Sequence, residues 1–485
     1  MTETQKADDL CQACCELAQG ITIDNVREHV VGIDRRVPLF DGSQRRYVNL
    51  DNAATTPPFR QVLDCSQQFF QWYSSVHRGS GFKSQLSTHV YERCREVVAE
   101  FIGADLSYHT LIFTQNATHA LNKLAMHLCT GGDRVVLTTL AEHHSNMLPW
   151  RKLGCDVDYV AVSPRDGSLD LADLEAKVRR HAGRLSLIAV TGASNVTGIM
   201  PPIRHIARLA HDHGAAIAVD ASQLIPHRTV NMGAPDDPER IDFLAFSGHK
   251  MYAPFGAGAL IGPNDAFEDR DPDHVGGGTV HAVTMDEVLW APLPDKEEAG
   301  TPNVPGCLAL GCAMKVLESM GMDNVADHER TLTRRALEQL TRLDGITIYG
   351  PTDPMLPEDR AGVITLNAHG IDHSKLAAIL GHEWGIGVRN GCFCAQPYVR
   401  ELLGISDDEM RRIVAKLSAG DHATVPGMVR ISFGVYNTVD EVDCFVEALR
   451  SILAHGPRAR YVIDKHYLDY VPHPATVHLD DYLPI

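Results

Sequence analysis

The chain lacks most of the features that would place it outside a watery compartment. No run of roughly 18 apolar residues occurs, so no segment is expected to cross a membrane. The opening "MTETQKADDL" has neither a basic lead-in nor an apolar core, so it does not read as a secretory signal. Basic residues are outnumbered: 44 Lys and Arg against 62 Asp and Glu leave a formal charge of −18, which argues against a nucleic-acid partner. Internal repeats and low-complexity tracts are missing. The 12 cysteines follow no framework spacing, so free thiols and a cytoplasmic location are expected.

What is present is globular. Of 485 residues, 44% are apolar and 22% charged, enough for two domains with a full core. Residues 1–45 form a polar N-terminal extension, expected to be helical and to join the small domain, with a cluster at Cys11, Cys14 and Cys15. In residues 46–306 apolar runs alternate with amphipathic segments: "LIFT", "RVVLT", "DYVAV", "LSLIAVT", "AAIAVD", "DFLAF" and "GALIG". That alternation predicts an α/β fold, a mostly parallel seven-stranded sheet flanked by helices. A Gly/Pro-rich passage then leads to a smaller α+β domain over 307–455, followed by an irregular tail, 456–485, expected to pack across a partner subunit. The stretch "SDDEMRRIVAKLSAGDHA" reads as a helical insert.

Ligands of open α/β sheets sit at the carboxyl ends of the strands, and here those ends are polar. They carry Gln115-Asn116-Ala117-Thr118, His143-His144, Ser194-Asn195, Asp220 with Ser222 and Gln223, and Ser247 with His249 and Lys250. Each residue alone could be a cap or a turn. Together they suit one ligand. A helix start at Asn116–Thr118 offers N–H groups and a hydroxyl to a phosphate. A buried Asp220 needs a cation beside it. A desolvated Lys250 can form a Schiff base. Phosphate, ring cation and aldehyde describe pyridoxal 5′-phosphate.

The ordered set "LDNAATTPP", "HRGSGFKSQLSTHVYERCRE", "AEHHSNMLPW", "SNVTG", "VDASQ", "FSGHKMYAPFGAGAL", "GTPN" and "VRISFGVYNT" resembles the class V aminotransferase superfamily, most of all its group II cysteine desulfurases and selenocysteine lyases. The resemblance implies fold type I, and a homodimer in which each subunit completes the other's site. It implies that Lys250 carries the cofactor and acts as acid and base, Asp220 pairs with the ring nitrogen, Gln223 bonds the ring hydroxyl and His143 stacks on the ring. Ala117 (through its N–H), Thr118, Ser247 and His249 would hold the phosphate, with Thr279 reaching over from the partner subunit. Asn195 and Arg430 would receive the substrate carboxylate, with His77 and Arg389 also at the substrate site.

In "VRNGCFCAQP" the family's reactive cysteine falls on Cys394, with Cys392 and Phe393 where the family has histidines. A desulfurase would convert L-cysteine to L-alanine and leave the sulfur on that thiol as a persulfide, for a protein acceptor. The thiol must be partly exposed and beside positive charge, which Arg389 could supply. Selenocysteine lysis, C–S lysis, epimerisation, transamination and a non-catalytic scaffold stay open. No metal is expected, because "EHH", "HDH" and "GHEWG" give no recognised ligand set.

Overall fold

The structure, a computed structural model, describes residues 18–129, 133–354, 360–419, 425–464, 469–474, 477 and 482. Its main sheet has seven strands: β1 (His109–Thr114), β2 (Val135–Thr139), β3 (Asp156–Val160), β4 (Leu185–Thr191), β5 (Ala216–Asp220), β6 (Phe243–Ser247) and β7 (Gly258–Pro263). They lie in the order β1-β7-β6-β5-β4-β2-β3. Strand β7 runs antiparallel to β1 and β6, and the other neighbours pair in parallel.

Alternation along each strand explains why both faces are covered. Leu244 and Phe246 of β6 join a core formed with helices Arg60–Phe70, Phe82–Phe101 and Val304–Met320. Phe243 and Ala245 point the other way, toward helix Ala117–Leu128 and Trp150. Apolar residues on both faces leave the strand ends as the natural place for polar chemistry.

A second sheet contains β8 (Ile346–Tyr349), β9 (Val363–Ala368), β10 (Arg389–Gly391) and β11 (Met428–Ser432), in the order β8-β9-β11-β10 and antiparallel throughout. Helices Met322–Leu340, His373–Trp384 and Val439–His455 share its core. Val48–Asn49 pairs in parallel with Ile386–Gly387, so the segment before the main sheet is stitched to this part of the chain.

Several expectations need correction. The described part of the N-terminal extension holds a 3-10 turn, Val26–His29, and a hairpin, Arg36–Pro38 with Gln44–Arg46, in place of a run of helix. Ala18, Ile21, Val26, Val30 and Ile33 pack into the larger core, while Phe40 N donates to His382 O on the side of the smaller sheet. Cys11, Cys14 and Cys15 lie outside the described residues. Helix Val304–Met320 straddles the expected boundary at 306/307, and its apolar residues enter the larger core.

The tail is not irregular throughout. Tyr461–Ile463 pairs antiparallel with Tyr470–Pro472, and the segment docks on this chain's own helix His373–Trp384. The cause is Glu383, 1% exposed, whose carboxylate accepts from Arg458 N (2.9 Å), Ala459 N (3.1 Å) and the Tyr461 hydroxyl (3.2 Å). Not all thiols are free either. Cys129, just past helix Ala117–Leu128, and Cys155, just before β3, form a disulfide with Cα atoms 5.8 Å apart, inside the range a disulfide spans. The insert is helical over Asp407–Ser418, capped by Ser406 and without a buried residue. No helix among the described residues is long and apolar enough to cross a membrane.

Candidate functional site

Strand β6 ends at Ser247 and turns directly into a 3-10 turn, Gly248–Lys250. A side chain at Gly248 would strike Ala257 O at 2.9 Å, so the chain can double back there only with glycine. Neighbouring β5 ends in Asp220, 6% exposed, whose carboxylate accepts from Ser222 N at 3.1 Å. Burial pulls the Lys250 ammonium down to about 8, and the Asp220 charge opposes that shift.

The anion side is built on helix Ala117–Leu128. Asn116 caps it, accepting from His119 N at 2.9 Å, so its side chain does the ordinary work of a cap. Ala117 N donates to Ser247 Oγ at 2.8 Å, and the Thr118 and Ser145 hydroxyls meet at 2.7 Å. Gly258 lets β7 pass behind this helix start, since a Cβ there would lie 2.8 Å from Asn116 Cα and 2.6 Å from Phe246 O. The glycine-rich "GAGAL" thus serves close backbone approach.

After β2 come Glu142, His143 and His144. Burial, then Lys250, lowers His143 to about 4, so the ring is neutral at pH 7. Ser145 N donates to its Nδ1 at 3.1 Å, which leaves the proton on Nε2. His249 is also lowered to about 4, by burial and Lys250. Glu142 is fully buried and accepts from Thr139 Oγ1 (2.6 Å), Asn146 Nδ2 (2.7 Å) and Thr191 N (2.9 Å); burial lifts its carboxyl to about 8.

The smaller sheet supplies two cations. Arg389 of β10 and Arg430 of β11 are direct cross-strand partners. Arg430 donates from Nη1 to Asn195 O and from Nη2 to Asp51 Oδ1, both at 2.9 Å, and its Nε is buried with no partner among the described residues. Arg389 lies 3.9 Å from the other Asp51 oxygen.

Cys394 is exposed and sits in a tight turn, closed by Ala395 N donating to Cys392 O at 2.8 Å. Phe393 (φ 53°) and Cys394 (φ 55°) are both left-handed, a conformation that costs roughly 1–2 kcal/mol per non-glycine residue. It persists because its surroundings fix it. Asn195 Nδ2 donates to Phe393 O (2.6 Å), His144 N donates to Cys394 O (2.7 Å), and Gln396 N donates to His144 Nε2 (3.1 Å). The Arg430 guanidinium lies 4.9 Å over the Phe393 ring.

These groups line one cavity of about 370 Å³, within the usual range for a small-ligand site. It gathers Lys250, Asp220, Gln223, Ser247, His249, Ala117, Thr118, His143, Asn195, Arg389, Arg430 and Cys394. Two expected residues stand apart. His77 lines a different cavity, beside Gly278 and Val280, and Thr279 is fully buried with its hydroxyl donating to Gly276 O at 2.8 Å. Sequence reasoning missed Asp51, Glu142 and Ser145, and named Arg389 alone as the cation for the thiol. Lys250 and Arg430 line the same cavity as Cys394. It also missed that His119, Asp273 and His274 converge, with ligand atoms within 4.8 Å of one another. Asp273 there is engaged by Lys123 and by His274, so the trio reads as an ion-pair network.

Comparison with known proteins agrees with this geometry. The family model for aminotransferase class-V matches residues 48–445. A probable cysteine desulfurase of Halalkalibacterium halodurans is 34% identical over 411 residues, covering 83% of this chain and 92% of the relative. A cysteine desulfurase of Haloferax volcanii is 34% identical, covering 87% of this chain and 94% of its own. The apo cysteine desulfurase from Thermococcus onnurineus superposes with a TM-score of 0.76 at 31% identity, covering 89% of this chain and 98% of that one. A match that spans the main sheet, the lysine turn and the smaller sheet makes this chain a member of the aminotransferase class-V family.

Proposed function

We propose that the protein is a pyridoxal 5′-phosphate-dependent cysteine desulfurase, converting L-cysteine to L-alanine and taking the sulfur onto Cys394. The observation that carries this reading is that Cys394 and Lys250 line the same cavity, with the unpartnered Arg430 Nε in its wall.

The residues fit the cofactor. Gln223 Oε1 and Ser222 Oγ line the cavity and are buried without partners among the described residues, so a ring hydroxyl and a neighbouring polar group have places to bond. Asp220 offers a buried carboxylate to a ring cation, Lys250 an amine to an aldehyde, and the Ala117–Thr118 helix start a seat for phosphate. Bound there, the cofactor supplies an electron sink for carbanion chemistry at the substrate.

The chain's own groups do the rest. Arg430 and Asn195 receive the substrate carboxylate, with Arg389 adding charge. With its amine lowered to about 8, Lys250 can hold and return the Cα proton near neutral pH. The Cys394 thiolate attacks the substrate sulfur: an S–S bond forms, the C–S bond breaks, and the carbon takes a proton to become alanine. His143, with its proton on Nε2, would pack against the cofactor's ring and could relay that proton.

Homodimerisation is part of the proposal. His77 lies exposed and off its own chain's cavity, which suits service at a partner's, whereas Thr279 keeps its buried hydroxyl on Gly276 O. The nearby hairpin, Val280–Val283 with Val288–Trp290, exposes Met285 (98%) and Leu289 (59%), apolar surface that a second copy would cover. A sulfur-accepting protein would unload Cys394. A thiol that must stay reduced suits a reducing compartment such as the cytoplasm, in which the Cys129–Cys155 disulfide is an exception.

The test is incubation of the pure protein with L-cysteine, measuring alanine and the mass of the peptide containing Cys394. Alanine with an added sulfur on that peptide is expected. Unchanged turnover in Cys394→Ala would move the reaction to C–S lysis, epimerisation or transamination, which need no thiol.

A further inference from the structure

We propose that Cys392 is a second sulfur carrier, loaded from Cys394 across a single turn; this rests on the desulfurase reading above. The two thiols belong to one four-residue turn, Cys392–Ala395, whose central residues are both left-handed. Such turns are built from asparagine and glycine as a rule, and here the geometry is imposed on phenylalanine and cysteine. Its result is to set the two thiols on either side of one tight bend of the backbone, closed by Ala395 N on Cys392 O.

The thiols face different surroundings. Cys394 is exposed and lines the cavity with Lys250 and Arg430. Cys392 is half-buried and packs against the apolar cluster of Val162, Val196 and Tyr398, away from the cavity lining. Cys392 is therefore placed to meet sulfur carried by Cys394, and not the amino-acid substrate.

The transfer balances without an oxidant. The Cys392 thiolate attacks the outer sulfur of the Cys394 persulfide, and a new S–S bond forms on Cys392. The S–S bond to Cys394 breaks, its electron pair returns to Cys394 as thiolate, and the proton stays on the transferred sulfur. Burial raises the Cys392 thiol. A raised thiol is mostly protonated near neutral pH, but its thiolate is intrinsically the stronger nucleophile and the poorer leaving group, so sulfur that reaches it is slow to return. Cys394 is then free to take sulfur from a second substrate.

The experiment uses full-length holoenzyme with excess L-cysteine and no reductant or acceptor protein. The reaction is quenched with a thiol alkylator, alanine is counted, and the tryptic peptide Asn390–Arg400 is fragmented. The wild type should give a burst of about two alanines per subunit, with extra sulfur on both cysteines, if exchange follows thiolate attack on the outer sulfur. Cys392→Ser should halve the burst and keep sulfur on Cys394. Cys394→Ser should leave Cys392 unloaded. Sulfur confined to Cys394 in the wild type would overturn the proposal. So would a Cys392–Cys394 disulfide with released sulfide, or a loaded Cys392 in Cys394→Ser. Absence of alanine from the wild type would instead remove the desulfurase reading and this relay with it.

Discussion

Arg430 and Asp51, 379 residues apart in the chain, share a hydrogen bond of 2.9 Å at the wall of the cavity. Asp51 takes one arm of the guanidinium that an incoming carboxylate would need for a two-pronged contact. Asp51→Asn should therefore lower KM for the amino acid, by roughly fivefold if the competing contact is worth about 1 kcal/mol. The kcat should change little. Steady-state kinetics would show this, and a raised KM would mean that Asp51 holds Arg430 in place.

Glu142 yields a pH prediction. Its folded carboxyl titrates near 8, against an ordinary 4.5, because of burial. Between those values the folded state binds more protons than the unfolded one, so this group's contribution to stability falls as pH rises. Glu142→Gln, a neutral isostere, should raise Tm at pH 8 relative to the wild type and leave Tm at pH 5 nearly unchanged. Thermal scans at the two pH values would check it.

Gly258 should be intolerant of even one methyl group. A Cβ there would push against Asn116 Cα and Phe246 O at under 3 Å. Gly258→Ala is expected to displace the start of helix Ala117–Leu128 and weaken cofactor retention roughly tenfold or more, as misplaced groups in preorganised sites do. Absorbance of the purified variant, titrated with cofactor, would measure it.

His144 grips the thiol turn from both its backbone and its ring. His144→Ala should release Gln396 N and loosen the left-handed pair, reducing kcat by roughly tenfold with KM little changed. The alkylation rate of Cys394 in the substrate-free protein should change as well, because the turn sets that sulfur's surroundings. Wild-type kinetics in the variant would show that the turn holds without this grip.

The sheet and the lysine turn were legible because their signals are local. Solid apolar runs ending in Asp220 or in Ser247–Lys250 contradict the usual cost of burying charge, and that contradiction can be read from neighbouring residues. Long-range pairings left no such trace. Nothing near Asp51 points to Arg430, and nothing in the spacing of Cys129 and Cys155 marks them as a pair. Glu142 was hidden beside two histidines that drew attention first. The boundary at 306/307 followed the Gly/Pro-rich passage, whereas helix Val304–Met320 is apolar on most of its surface and packs where that surface can be buried.

Strand β7 runs against the grain of its sheet, between the strand that leads to the phosphate seat and the strand that leads to Lys250. One short stretch of backbone is hydrogen-bonded to both. The amine and the anion cradle are thus fastened to a common beam, and neither can drift without dragging the other. Escape of the vitamin-derived ligand should accordingly be all-or-none, with no long-lived species held at one end only.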